Sequence, residues 1–186
     1  MKTLAPDRGR LLISEPSIIG DASFSRSVVL LTEFNNDGIV GFIINKPLEY
    51  TLNELVPEIQ QEFEVYDGGP VSTDNLYFLH RIPDLIPDSH HIQDGIYWGG
   101  DFQTVSRLIN ENKIKNNEIK FFLGYSGWER DQLMEELNSK SWVVTSNDDG
   151  EKVLSDEIHD FWKNKMRDLG GGYEIWSNAP ENPSYN

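Results

Sequence analysis

The residues able to carry chemistry in this chain are histidines, carboxylates, hydroxyls and lysines, because the sequence contains no cysteine. That absence removes disulfides, thiolate nucleophiles and cysteine metal ligands. Ser126 or Ser27 together with His80 would supply the parts of a nucleophilic pair. The glycines of Gly124-Tyr125-Ser126-Gly127 do not have the Gly-x-Ser-x-Gly spacing of a strained nucleophile elbow. A structural histidine at the end of a strand is therefore the commoner role for His80.

A second group of polar residues has the side-chain types of a hard-metal site: Asp84, Asp88, His90, His91 and Asp94. These residues fall in a polar, proline-containing loop, where such side chains are usually solvated and neighbouring histidines cannot easily face one ion. We therefore expect no metal and no cofactor, and leave metal binding by the loop 84–94 as an alternative. The glycine pairs of the chain are not followed by the Gly-Lys-Ser or Gly-Lys-Thr of a phosphate loop, which argues against nucleotide binding.

The stretch Phe121–Trp128 combines a short apolar run with aromatic residues and two glycines. The run Lys120–Leu123 predicts a buried strand, and the glycines predict a tight turn directly after it. Tyr125 and Trp128 would then lie at the edge of the turn, where a large ring with one polar atom suits a pocket or a contact surface. Packing in the core is the commoner role for such rings.

The elements that would position these residues are short strands and brief helices. Ser27–Glu33 and Ile39–Asn45 flank an Asp-Gly pair and predict a hairpin. Thr51 and Glu54 have the spacing of a capping box at the start of a short helix. Other strands are predicted at Leu11–Ile13, Val65–Tyr66, Leu76–His80, Ile96–Trp98 and Trp142–Thr145. Loops are predicted over Ser17–Arg26, anchored by Asp21 and Phe24, and over Arg81–Gly95.

The later part of the chain predicts three helices. Asp101 is placed as the N-cap of the first, and Leu133 lies on the apolar face of the second. The most amphipathic helix is predicted to begin after Ser155 and to end at Gly170 in a left-handed residue. Residues 173–186 contain two prolines and three asparagines and predict an extended tail.

The chain is strongly acidic: its 186 residues include 31 acidic and 16 basic side chains, for a formal net charge of −15. Such a surface repels phosphate backbones and anionic lipid headgroups, which argues against direct nucleic-acid or membrane binding. No apolar run approaches the roughly 18 residues of a membrane span. Met1–Arg10 lacks the apolar core of a signal peptide. We predict a cytoplasmic protein with one domain, residues 1–172, and a C-terminal tail, residues 173–186.

Several separated segments together resemble the YqgE/AlgH family, in order and at the family's spacing: Phe24–Val29, Gly41–Leu48, Gly68–Val71, Leu79–His80 and Gly124–Trp128. The resemblance extends over roughly residues 9–170, and it is specific because several unrelated motifs must coincide. The Gln132-Leu133 pair that follows the aromatic stretch is also typical of the family. The chain departs from the family pattern at Phe34, where histidine is common, and at Met134, where glutamate is usual.

The resemblance implies a single α/β domain, α+β-like in character, with a bifurcated mixed sheet that includes a small closed barrel and is surrounded by helices. It also implies a bacterial protein of unestablished biochemistry, and it brings the family's description as transcriptional regulators. Direct DNA binding does not suit the charge of the chain. The sequence has no helix-turn-helix pattern and no predicted helix with a basic face.

The first functional hypothesis is a non-enzymatic binding or regulatory protein whose pocket gathers motif residues from strand ends and turns. Its predicted lining is Arg26, Asn45, Pro47, Gly69, His80, Tyr125 and Trp128. Arg26 would recognise a small anion, and a protein partner is the other option. The alternative hypothesis is a hydrolase or transferase in which His80 is the general base and Tyr125 the acid or orienting group.

Overall fold

Short apolar runs separated by glycine and proline fold as strands joined by brief helices. The computed structural model describes residues 4–16, 22–148, 150–155, 158 and 160–179, so the predicted anchor Asp21 lies outside the described residues. The strands are β1 (Leu11–Ser14), β2 (Val28–Phe34), β3 (Ile39–Ile43), β4 (Pro47–Thr51), β5 (Glu64–Asp67), β6 (Val71–His80), β7 (His90–Gln93), β8 (Ile96–Trp98), β9 (Ile119–Trp128) and β10 (Trp142–Thr145). The helices are α1 (Leu52–Leu55), α2 (Phe102–Asn110), α3 (Arg130–Asn138), α4 (Gly150–Val153), α5 (Phe161–Leu169) and α6 (Gly172–Ser177), with a 3-10 turn at Ala22–Phe24.

The elements set by local signals form as predicted. β2 and β3 make the antiparallel hairpin around the Asp-Gly pair. Glu54 accepts a hydrogen bond from the Thr51 backbone N–H at 2.7 Å, which is one half of the capping box at the start of α1. The Asp101 carboxylate accepts from the Thr104 backbone N–H at 2.9 Å and so caps α2. Each signal lies within a few residues of the structure it specifies, which is why the sequence alone reveals it.

β9 is one continuous strand of ten residues at the centre of the sheet, so the prediction of a tight turn after Leu123 is wrong. Gly124 has φ +71°, an angle that suits glycine, and the strand bends there without ending. β6 pairs with β9 on both sides of the bend, through Leu76 with Leu123 and Val71 with Tyr125. Because a partner strand follows it past the glycine, the backbone keeps its ladder and runs on to Trp128.

The same strand divides the sheet. The first half of β9 pairs in parallel with β5, Val65 opposite Phe121, and its end pairs antiparallel with β3, Gly41 opposite Ser126. The strand order β10-β1-β2-β3-β9-β6-β8-β7 carries β5 and β4 as a branch from β9. The bifurcated mixed sheet is therefore confirmed. The small closed barrel is not, because no pairing among the described strands joins the outer strands β10 and β7.

Three helices cover three clusters of buried apolar side chains. α5 packs through Trp162 and Met166 on the cluster that contains Phe42 and Phe122. α2 covers a second cluster, and α3 inserts Leu133 into a third. Burial of one large apolar side chain stabilises a fold by about 1.5–3 kcal/mol, so these faces hold the helices against the sheet. In the described part of the chain, no helix has both the length and the apolar character needed to cross a bilayer.

The predicted loop Arg81–Gly95 contains a strand. His90–Gln93 forms β7, which pairs antiparallel with β8. The His90 ring stacks on Trp98 with 5.2 Å between ring centroids, and His91 meets Tyr97 at 5.1 Å. These contacts stabilise β7, whose sequence is too polar to show a strand pattern.

Two predictions near the C-terminus are also wrong. α5 begins at Phe161 after Asp160, and Ser155 does not cap it. The predicted extended tail starts instead with the helix α6, which packs against α5. Tyr173 on α6 donates its phenolic hydrogen to the Glu15 carboxylate, and this contact raises the pKa of Tyr173 to about 12. Contacts with distant residues, rather than local propensity, thus order this segment. Gly170 ends α5 at φ +67° as predicted.

Candidate functional site

A cavity of about 620 Å³ lies where the start of β2, the β3–β4 connection and α5 meet. Three of the seven predicted site residues line it, namely Arg26, Asn45 and Pro47. We call this cavity the basic pocket. Its other lining residues are Ser25, Lys46, Leu48, Asp67, Asp160, Trp162 and Lys163.

The lining of the basic pocket carries excess positive charge, whereas the whole chain carries excess negative charge. Three cations, Arg26, Lys46 and Lys163, face two carboxylates, Asp67 and Asp160. In the whole sequence 31 acidic side chains outnumber 16 basic ones. A concave surface with excess positive charge concentrates field lines and attracts anions even when the net charge of the molecule is negative.

Arg26 adopts an uncommon backbone conformation that a neighbouring amide holds in place. Its φ is +52°, in the left-handed region. The Asn45 side chain donates to the Arg26 carbonyl at 2.9 Å and accepts from the Val28 backbone N–H at 2.8 Å. A side-chain-bearing residue in this region costs about 1–2 kcal/mol, so the conformation persists because the surroundings fix it. Both polar atoms of Asn45 are used in this way, which makes Asn45 a positioning residue.

The Arg26 guanidinium lies against a fixed aromatic wall. Its central carbon is 5.2 Å from the ring centroid of Trp162, and one of its nitrogens donates to the Ala179 carbonyl at 2.8 Å. The indole N–H of Trp162 donates to the Ser14 carbonyl at 2.9 Å, so the ring itself cannot turn easily. A stacked, planar guanidinium is suited to binding carboxylate or phosphate through two parallel hydrogen bonds.

Two ammonium groups complete the positive lining. Lys46 donates to the Ser23 carbonyl at 2.5 Å. The Lys163 ammonium lies 3.3 Å from the Asp160 carboxylate, whose side chain is 70% exposed. Water screens an ion pair of that exposure, so Asp160 holds Lys163 only weakly and leaves its charge available to a bound anion.

Gly69 and Tyr125 contact each other outside the lining of the basic pocket. The Gly69 N–H donates to the Asp67 carboxylate at 3.0 Å, which ties the β5–β6 turn to the pocket. At φ +142° Gly69 approaches β9 so closely that an added Cβ would lie 2.5 Å from the Tyr125 carbonyl carbon. The Tyr125 ring packs edge-on against Tyr77, at 5.7 Å between centroids. Both residues therefore hold β6 against β9 and are not among the residues that line the basic pocket.

Trp128 is buried under α3 and supports the segment that carries Arg26. Its indole N–H and that of Trp142 donate to the same oxygen of Glu136, at 2.9 and 2.8 Å. The ring of Phe24 lies 5.8 Å from Trp128 and 5.3 Å from Trp142. Phe24 ends the 3-10 turn that leads directly to Ser25 and Arg26, so this aromatic group anchors one wall of the pocket.

His80 lies away from the basic pocket, completely buried at the end of β6. Its Nδ1 accepts from the Ile82 backbone N–H at 3.3 Å, so the proton of the neutral ring is on Nε2, which donates to the Gly99 carbonyl at 3.1 Å. Burial lowers the pKa of His80 below its ordinary value of 6.5, an effect that the Gly99 bond partly opposes. A buried imidazole with both nitrogens engaged is not placed to take a proton from a substrate.

The hydroxyl groups considered as nucleophiles are engaged elsewhere. The buried Ser126 hydroxyl donates to the Gly68 carbonyl at 3.1 Å, and Ser27 donates to the Ser23 carbonyl at 3.4 Å. The hydroxyl that does meet His80 is that of Ser89, at 3.0 Å from Nε2. Ser89 donates to the Ile86 carbonyl at 2.7 Å and therefore accepts from the histidine. This direction of donation is the reverse of the one that activates a serine.

The polar residues of the loop 84–94 do not gather around one point. Within the described ranges, no three histidine or acidic side chains are grouped so that they could hold a metal ion. His90 and His91 instead stack on Trp98 and Tyr97 of the neighbouring strand. Adjacent residues of a strand point to opposite faces, which separates the two imidazoles.

The sequence analysis missed seven lining residues of the basic pocket, among them Lys46, Trp162 and Lys163. Lys46 had a detectable signal, because it lies between two predicted site residues, Asn45 and Pro47, in one motif. Trp162 and Lys163 had none, since they belong to a helix whose apolar spacing indicates only core packing.

Residues 11–174 match the AlgH-like family. A UPF0301 protein of Cytophaga hutchinsonii is 43% identical over 182 residues, which cover 96% of this chain and 98% of that protein. A UPF0301 protein of Bacteroides thetaiotaomicron is 40% identical over 183 residues, 97% of this chain and 92% of that protein.

Solved structures have the same architecture. The solution structure of the AlgH protein from Pseudomonas aeruginosa superposes with a TM-score of 0.71 at 26% sequence identity. The superposition covers 98% of this chain and 100% of that chain. The crystal structure of a protein from Corynebacterium diphtheriae gives a TM-score of 0.74 at 18% identity, over 96% of this chain and 95% of that chain. The second likeness concerns the fold alone.

Proposed function

The chain belongs to the AlgH-like family, and from this premise we propose that it is a cytoplasmic, non-enzymatic binding protein that holds a small anion in the basic pocket and acts as a regulator through that ligand. The observation that carries the proposal is the local reversal of charge. Three cations and two carboxylates line the cavity of a chain whose net charge is −15. Arg26 is the principal anion-binding group, and Lys46 and Lys163 are the secondary ones.

The dimensions and the mixed lining define the class of ligand. A volume of about 620 Å³ lies within the usual range for small-molecule pockets. Asp67 and Asp160 add hydrogen-bond acceptors beside the cations. The ligand that fits this combination is a small organic or phosphorylated anion that also carries hydroxyl or amino groups.

Regulation through a ligand, rather than through direct DNA contact, follows from the overall charge. A surface with 31 acidic and 16 basic side chains repels a duplex. We expect no mobility shift of duplex DNA even at low ionic strength, where such binding is strongest. A shift that weakens steeply with added salt would contradict this part of the proposal.

Anion binding is tested by calorimetry and thermal shift with inorganic phosphate, pyrophosphate, citrate and AMP. At least one of these probes is expected to raise Tm and to bind in the micromolar to millimolar range. Arg26→Gly removes the guanidinium while glycine accepts φ +52°, so its free energy of unfolding should stay within about 1 kcal/mol of the parent. Its affinity for the probe should fall about tenfold or more.

The matched control is Arg107→Gln, which removes the same charge from α2, outside the basic pocket. Arg107 is 59% exposed and pairs with Glu111 at 3.5 Å. This variant should bind the probe as the parent does. If no probe changes Tm, or if Arg26→Gly and Arg107→Gln lose the same affinity, the basic pocket is not the anion site.

A further inference from the structure

A second cavity, of about 640 Å³, lies between the segment after α1, the strands β6 and β8, and the start of α2. Four aromatic side chains line it: Tyr77, Phe78, Trp98 and Phe102. The lining also contains one carboxylate, that of Glu58, and one imidazole, that of His90. We call this cavity the aromatic pocket, and it shares no lining residue with the basic pocket.

The rings of the aromatic pocket are held in place by protein contacts. Phe78 is 5% exposed and forms the floor, and its ring centroid lies 6.2 Å from that of Phe102. Trp98 is stacked on one side by His90 at 5.2 Å. Tyr77, Trp98 and Phe102 are half-buried, so each residue keeps part of its surface accessible. Because these rings are already ordered, a ligand that covers them causes little further loss of side-chain entropy.

The charges around this cavity favour a cation. Glu58 contributes a carboxylate, and the lining that the structure describes includes neither lysine nor arginine. The start of α2, where backbone N–H groups could attract an anion, is capped by the Asp101 carboxylate at 2.9 Å from the Thr104 nitrogen. Ring faces, one carboxylate and a capped helix start all present negative potential to the cavity.

We propose that the aromatic pocket is a second binding site, which takes a small organic cation with a flat apolar body. The positive nitrogen lies over the ring of Phe102 and near Glu58, and the apolar body covers Phe78. The basic pocket has no part in this interaction. Cation–π attraction to Phe102, together with apolar burial, supplies the affinity.

The test uses two probes with the same ring system, N-methylisoquinolinium and neutral isoquinoline, at mildly alkaline pH. Binding is measured by calorimetry, and its place is found from ¹H–¹⁵N chemical shift changes, including that of the Trp98 indole N–H. The cation is expected to bind about threefold to tenfold tighter than its neutral counterpart, with shift changes confined to the aromatic pocket. Naphthalene-2-sulfonate, the anionic probe of similar shape, should bind at the aromatic pocket more weakly than both.

Two substitutions make the assignment specific. Glu58→Gln removes an exposed carboxylate without disturbing the core and should weaken the cation about threefold while leaving isoquinoline unchanged. Glu62→Gln removes the same charge from an exposed position outside the lining and should change neither probe. Phe102→Leu keeps an apolar side chain but removes a ring face, and should weaken the cation more than the neutral probe.

Equal affinity for the cation and for isoquinoline would overturn the proposal, because it would make the cavity an ordinary apolar site. Absence of binding by either probe to the folded chain would overturn it as well. An equal loss in Glu58→Gln and Glu62→Gln would assign the effect to net charge and not to the pocket.

Discussion

The basic pocket and the aromatic pocket have nearly the same volume, about 620 and 640 Å³, but opposite chemistry. The first has three cations in its lining, and the second has four aromatic rings and the Glu58 carboxylate. Cavity size alone therefore says little about the ligand in this fold. The charge and the ring surface of the side chains that the sheet brings together decide which class of molecule each cavity attracts.

The two pockets also differ in what holds them. The wall that carries Arg26 depends on hydrogen bonds from Asn45 and on the group of Phe24, Trp128 and Trp142. The aromatic pocket depends on ring contacts within β6, β7, β8 and α2, and on His80 behind Gly99. Because these supports share no residue, each pocket can be disturbed without the other.

Glu136→Ala should produce the largest difference between the pockets. It removes the oxygen that accepts from the indoles of Trp128 and Trp142. Two buried donors then lose a charged partner, and we expect the free energy of unfolding to fall by about 3 kcal/mol. The Phe24 ring is then no longer held by ordered Trp128 and Trp142 rings. The affinity of the basic pocket for the anion therefore falls, while the affinity of the aromatic pocket for N-methylisoquinolinium stays the same.

Urea unfolding and calorimetry with both probes measure these effects of Glu136→Ala. Glu135→Ala, at the exposed neighbouring position on the same helix, is the control and should resemble the parent. A parallel loss of both affinities in Glu136→Ala would show that the pockets are not independent.

Asn45→Ala should weaken the basic pocket with a somewhat smaller loss of stability. The variant removes the donor to the Arg26 carbonyl and the acceptor of the Val28 N–H. We expect a loss of about 2 kcal/mol in the free energy of unfolding and lower anion affinity. Asn45→Asp keeps the acceptor and should be more stable than the alanine variant, yet its negative charge should still oppose the anion. An Asn45→Ala protein that binds the anion with full affinity would remove the positioning role of Asn45.

Added salt should change the ligand affinities of the two pockets to different extents, and this difference should be smaller than the effects of the substitutions. Between about 50 and 500 mM NaCl, screening should weaken anion binding at the basic pocket by about fivefold. Apolar burial contributes to binding at the aromatic pocket and is not screened, so the organic cation should lose less affinity over the same range. Calorimetric titrations at several salt concentrations measure both slopes. Equal slopes would mean that charge dominates in both pockets.

The smallest expected effect is a pH dependence that originates beside the aromatic pocket. Burial lowers the pKa of His80 in the folded protein below 6.5, so the unfolded chain binds more protons than the folded chain once the pH falls below that value. The contribution of His80 is therefore fully present above pH 6.5 and is lost as the pH falls through its folded pKa. Urea unfolding from about pH 8 to about pH 5 should show this loss, and His80→Asn should reduce the slope. An unchanged slope in His80→Asn would contradict this assignment.

The parts of the fold that follow from short-range signals were accessible from the sequence. Four such features each depend on residues a few positions apart. They are the Asp-Gly hairpin, the helix starts at Glu54 and Asp101, and the end of α5 at Gly170. The continuation of β9 past Gly124 does not, because it depends on pairing with β6 and β3, which come from distant parts of the chain.

The candidate site shows the same division. Arg26, Asn45 and Pro47 line one cavity because their segments lie on the hairpin β2–β3 and its exit. Gly69 and Tyr125 are not among the lining residues of the pocket, and Trp128 lies under α3. His80 is at the far end of β6. A motif records that residues are important for the fold or for a site, and it does not distinguish the two.

The amino-acid sequence by itself determined the acidic charge of the chain, the absence of thiol chemistry, the family resemblance and the local starts and ends of several elements. Only the tertiary structure decided which cations share a cavity, that Asn45 and Trp128 hold the segment of Arg26 in place, and that a ring-lined cavity exists on another part of the sheet. The physical reason is that charge and propensity belong to single residues and short segments. A cavity is formed by several segments at once. It exists only after the branching of the sheet at β9 has brought these segments together.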